Sequence, residues 1–85
     1  MNEQNLWVPK PYKDYKWIVK DPDLLGGQLA IRDTRLSVSL ILECFANGME
    51  LKDIDESFGG VFPHAALPEV FRVASEVTSD PNVAA

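Results

Sequence analysis

Cysteine and histidine are nearly missing from this chain: its 85 residues hold one of each, Cys44 and His64. A lone cysteine closes no internal disulfide, and one histidine with no second histidine or cysteine near it makes no metal site. Cys44 falls inside an apolar helical pattern, where burial disfavours the thiolate, so it reads as a small core residue and not as a nucleophile. Long apolar runs are missing too. Leu40-Ile41-Leu42 falls far short of the roughly 20 residues that cross a bilayer, and Met1 to Leu6 lacks the apolar stretch of a secretory signal. Gly26-Gly27 and Gly59-Gly60 lack the lysine and the spacing of a phosphate-binding loop. The expectation is a cytoplasmic, non-enzymatic protein with no cofactor and no metal.

Basic residues are scarce after position 35. The net charge is −5, but it is unevenly spread. Residues 10–35 carry six cations against four anions, whereas residues 36–85 carry eight anions against Lys52 and Arg72 alone. An acidic surface repels phosphates and suits a basic protein partner. A chain this short buries only about two-thirds of its unfolded surface, so a second copy or a partner would add stability.

Residues 1–16 read as an arm, because Pro9 and Pro11 oppose helix. Its Trp7, Tyr12 and Tyr15 either pack back on the domain or grip another chain. Lys10, Lys13 and Lys16, interleaved with them, are the candidate nucleic-acid contacts. Trp17-Ile18-Val19 predicts a short strand. Asp21-Pro22-Asp23 marks a turn, and Gln28–Arg32 predicts a second strand with Leu29 and Ile31 on one face. Helices are predicted over about 38–47, 50–57 and 66–79. Ser37 is placed to cap the first, Gly48 to end it in a left-handed conformation, and Pro68 fits only the first turn of the third. The expected core is Ile41, Leu42, Phe45, Leu51, Ile54, Phe58, Val70, Phe71 and Ala74, with Phe62 folding inward from its loop. Residues 17–79 form the helical domain and 80–85 a tail. The fold class is mainly α, three helices with a short N-terminal β element.

The segments DPDLLGGQLAIRDTRLSV and ILECFANGMELKDI resemble the bacterial domain-of-unknown-function family 433. The resemblance covers about residues 17–79. It implies a homeodomain-like, helix-turn-helix-like domain with an antitoxin-like role beside a PIN-like nuclease toxin. Three departures stand out. Asp33 replaces a usual glycine, Ser37 replaces a common proline, and FGGVFPHAA is longer than a tight helix-turn-helix allows.

The cluster Arg32-Asp33-Thr34-Arg35 lies where a strand must end and a helix begin. Asp33 and Thr34 suit bonds to neighbouring amides. Arg35, the arginine of the family motif, is expected to clamp the turn, and Arg32, on the solvent face, to contact another molecule. The expected partner surface therefore comprises Trp7, Tyr12, Tyr15 and Arg32, with Glu50, Asp53 and Glu56 supplying charge. The implied partner is a nuclease whose basic groove an acidic protein would cover, in a homodimer or hetero-complex. A DNA-binding regulator acting through the arm, weakly on its own, and a stand-alone assembly module are the alternatives.

Overall fold

The computed structural model describes residues 7–78; expectations for residues 1–6 of the arm and for the tail lie outside the described residues. The two β-prone runs pair as an antiparallel ladder, β1 (Ile18–Val19) against β2 (Ala30–Ile31), with Ile18 opposite Ile31 and Val19 opposite Ala30. Single bridges extend it on both sides, Pro11 to Val19 and Ser37 to Ala30. Pro11, with no amide to donate, suits that edge. Strands of two residues need packing on both faces to persist. Ile18 and Ile31 enter the main core, while Val19 and Ala30 turn the other way and meet Leu24 in a small second cluster.

Helix α1 (Val38–Ala46) begins where Ser37 Oγ accepts from the Leu40 amide at 3.0 Å. It ends in the left-handed residue Gly48, φ 89°. The Gly48 amide donates to Phe45 O at 3.0 Å and the Met49 amide to Cys44 O at 3.1 Å, the paired bonds of a Schellman stop. Helix α2 (Leu51–Ser57) starts one residue after the predicted boundary, because Glu50 is its cap: the Glu50 side chain accepts from the Asp53 amide, and the Glu50 amide donates to Asp53 Oδ2 at 2.8 Å. Gly59, φ 68°, turns the chain out of it.

A single helical turn, His64–Ala66, leads into α3 (Leu67–Thr78), and Pro68 sits in its first turn. Residues 58–66 thus separate α2 from α3. This long connection delivers Phe62, 2% exposed, into the core. His64 Nε2 lies 2.9 Å from both carboxylate oxygens of Asp55 and ties the connection back to α2. Among the described residues the architecture is mainly helical, with three α-helices and one small antiparallel ladder.

The core differs from expectation in its α3 face. Ile41, Ile54 and Val70 are fully buried, and Leu42, Phe45, Leu51 and Phe58 are half-buried against them. Phe71, however, is 46% exposed, and Ala74 is only half-buried. Val73 points inward with Val70 instead. Neighbouring residues on a helix point about 100° apart, so a core centred on Val70 and Val73 carries Phe71 to the rim. There its ring meets Phe45 at 5.6 Å between centroids. Cys44 is buried among these residues.

Candidate partner-binding surface

The arm is docked from Lys10 onward, by carboxylate side chains and by backbone bonds. Asp21, buried to 4% exposure, takes the Lys10 amide on Oδ2 at 3.1 Å and the Asp23 amide on Oδ1 at 2.9 Å. The Tyr12 amide donates to Ile18 O and the Lys20 amide to Lys10 O, both at 2.9 Å. Further along, Glu69 of α3 takes the amides of Lys16 and Trp17 at 3.1 and 2.6 Å. One α3 heptad later, Glu76 takes the Tyr15 hydroxyl at 2.8 Å and lies 3.6 Å from Lys13 Nζ. An amide in a turn with no strand opposite it must find an acceptor, and these acids supply it.

This docking reassigns two of the three arm aromatics. Tyr15 is 8% exposed and part of the main core, so it is no anchor for another chain. Burial, together with the hydrogen bond to Glu76 and its negative charge, pushes the Tyr15 phenol up to about 12. Tyr12 is half-buried and stacked on Tyr15, ring centroids 5.9 Å apart. Only Trp7 remains presented to solvent, at 51% exposure.

The two arginines sit otherwise than expected. Arg32 pairs with β1 through its amide, which donates to Trp17 O at 2.8 Å, and its guanidinium lies 4.7 Å from the Trp17 ring centroid. Its Nε is buried without a hydrogen bond; Asp33 Oδ2, 3.9 Å away, is beyond hydrogen-bond reach. Arg32 is thus mainly a packing residue. Arg35 is exposed and makes no hydrogen bond or ion pair among the described residues, so it does not clamp the turn. Thr34 does that work. Its hydroxyl donates to Ile31 O at 2.8 Å and accepts from the Leu36 amide at 3.0 Å. A short side chain between the two groups leaves no task there for a long one. Asp33 takes the left-handed conformation, φ 65°, that the family's glycine position implies.

Trp7, Pro9, Leu24, Asp33, Thr34 and Arg35 line one cleft of about 230 Å³. Two features far apart in sequence, the arm aromatic and the basic turn, therefore meet. Tryptophan and arginine are the side chains that most often dominate binding energy. The remaining expected residues lie elsewhere. Glu50 and Asp53 cap α2, though their charge persists, and Glu56 is exposed without an ion pair among the described residues. Of the three lysines, Lys13 is taken by Glu76, Lys16 lies 5.8 Å from the Trp17 ring centroid, and Lys10 keeps an exposed side chain. No group of three His, Cys, Asp or Glu side chains converges among the described residues, and no described helix is long and apolar enough to cross a membrane.

Sequence reasoning missed Asp21, Glu69 and Glu76. The spacing of Glu69 and Glu76, seven residues apart, was the available signal: it sets both on one face of α3.

The model of the family described as "Protein of unknown function (DUF433)" matches residues 18–66. The matched span starts at β1 and stops before α3, so Trp7 and the α3 clasp lie outside it, while Asp33, Thr34 and Arg35 lie inside. No curated protein and no solved structure matches the chain.

Proposed function

This chain belongs to the DUF433 family, and from that premise we propose that it is a non-enzymatic, cytoplasmic binding module, the antitoxin-like partner of a PIN-like nuclease. The observation that carries the reading is the cleft at the end of β2, where exposed Trp7 and exposed Arg35 face the same space. Such a cleft accepts a partner's apolar side chain against the indole and a carboxylate against the guanidinium. The acidic later half supplies steering towards a basic nuclease groove, an effect that depends on net charge and weakens with salt. Glu50 and Asp53 contribute to that field even while capping, because a cap uses their oxygens and leaves their charge.

The test is co-expression with the product of the neighbouring gene, followed by binding kinetics and a nuclease assay. Trp7→Ala and Arg35→Ala are expected to speed dissociation about tenfold or more, since each removes buried contact. Glu56→Lys is expected mainly to slow association, with less effect at high salt. Unchanged kinetics in all three variants would remove this cleft from the interface. A second reading, DNA binding through the arm, is favoured by the exposed side chains of Lys10 and Lys16. It predicts only non-specific affinity, on the order of 10⁻⁴ to 10⁻⁶ M, that disappears when both lysines are replaced.

A further inference from the structure

Asp33 brings to its turn a carboxylate that the turn does not use. Its φ of 65° lies in the left-handed region, which aspartate tolerates and glycine adopts freely. Thr34 closes the turn, through its bonds to Ile31 O and the Leu36 amide. The Asp33 side chain is 80% exposed and makes no hydrogen bond among the described residues. Its one ionic neighbour among them is Arg32 Nε, at 3.9 Å, and the Arg32 guanidinium is laid on the Trp17 ring. Asp33 lines the same cleft as Trp7, whose indole is half exposed. An unused carboxylate and an open aromatic face therefore border one small space.

We infer that Asp33 sets the specificity of this cleft by selecting an arginine of the protein partner, whose guanidinium lies against the Trp7 indole and donates to the Asp33 carboxylate. The inference rests on the reading of the cleft as a partner-binding surface and names the side chain that meets the indole there. A guanidinium is planar, stacks on an aromatic face and presents a fork of N–H donors that matches a carboxylate; a lysine ammonium has no such fork. The arginine stem is apolar and suits the Pro9 and Leu24 part of the lining. At about 230 Å³ the cleft is smaller than the roughly 300 Å³ at which pockets for whole small molecules begin, so it seats one side chain. Arg35 lines the same space and repels a second cation, which a partner carboxylate on Arg35 offsets. The recognised segment therefore carries an arginine and an acid close together. A nucleic-acid strand fits less well, because its phosphates would meet Asp33 and a chain of net charge −5.

The probe is the blocked peptide Gly-Arg-Gly-Glu-Gly, whose zero net charge removes general attraction to an acidic chain. A control peptide carries citrulline, which keeps the shape of arginine and loses its charge. Both are titrated into the full chain and followed by proton–nitrogen correlation NMR. Saturable shifts are expected at the Trp7 indole N–H and at the Thr34 and Arg35 amides, with a dissociation constant on the order of millimolar. Asp33→Asn and Asp33→Gly should each weaken binding about three- to fivefold, the worth of one exposed ion pair. Trp7→Ala should do so to a similar degree. Both Asp33 variants tolerate a left-handed backbone, so their thermal melts should match wild type; lost binding with an intact fold is the signature of a recognition residue. The citrulline peptide should bind as weakly to wild type as the arginine peptide binds to Asp33→Asn. Shifts absent up to about 10 mM peptide, Asp33 variants that bind as wild type does, or equal binding of the citrulline peptide would each overturn the assignment. So would a single-stranded oligonucleotide that moves the same three signals when the peptide does not. The readout needs no nuclease: a missing nuclease complex defeats the function proposed above and leaves the peptide result standing, whereas a failed titration leaves the Trp7 and Arg35 kinetics to be judged on the complex.

Discussion

Between Lys10 and Ser37 the backbone bends repeatedly, and side-chain oxygens of Asp21, Glu69 and Thr34 accept the amides that the bends leave over. From Val38 to Thr78 the amides are spent largely inside helices, and the side chains that matter are apolar: Ile41, Ile54, Phe62, Val70. The first region is stapled by polar groups at its edges; the second is held by a common interior. The contrast teaches where each is vulnerable. Loss of apolar volume acts on the whole helical core at once, whereas loss of one clamp frees one segment and leaves the rest standing.

The largest effect should come from Phe62→Ala, because the ring is among the largest fully buried side chains and its loop offers little to refill the space. A loss of about 3–5 kcal/mol in urea unfolding is expected. A value near that of a surface change would place the interior elsewhere. Glu69→Ala should cost less, about 1–3 kcal/mol, for two amides left without their acceptor. Its signature is local: faster hydrogen exchange at Lys16 and Trp17 with the α1 amides unchanged. Exchange rising equally in α1 would erase the contrast between the regions. Ser37→Ala removes the cap at their junction and should cost about 1 kcal/mol, with α1 helicity reduced in its first turn.

The smallest effect is a pH dependence. The Tyr15 phenol is raised from 10.0 to about 12 in the folded chain, so folding favours its protonated form. That contribution is intact below the unfolded value and is lost as pH climbs from 10 towards 12. Tyr15→Phe should flatten the alkaline decline in stability relative to wild type over that interval. Identical alkaline slopes in the two proteins would mean that the Tyr15 phenol is neither buried nor bonded to Glu76 in solution.

The helices were legible because apolar spacing and stop signals agreed: Val38, Ile41 and Phe45 recur at helical intervals between Ser37 and Gly48, and the caps form as the chemistry of those residues predicts. The phase of α3 was less legible. Phe71 and Val73 are both apolar, and only the shape of the interior decides which turns inward. The Glu69 and Glu76 clasps were barely legible: their seven-residue spacing sets both on one face of α3, but their partners lie 52 and 61 residues away and a glutamate on a helix ordinarily faces water. The two arginines read alike in sequence. What separates them is the ladder: it sets Arg32 beside Trp17, whereas Arg35 falls beyond the reach of any strand. The cleft was half legible, with Trp7 and the turn each noticed and their meeting invisible.

The clasp of Glu69 on the Lys16 and Trp17 amides also sets a schedule for biosynthesis. At a translation rate of roughly 5–20 residues per second, the 52 residues between Trp17 and Glu69 take on the order of 3–10 s to make. During that interval the Lys16 and Trp17 amides lack the acceptor that Glu69 supplies, and α1 can form from local bonds alone. The clasp at Lys16 and Trp17 can fasten only after α3 has been synthesised, so a segment made well before α3 settles only once α3 is complete.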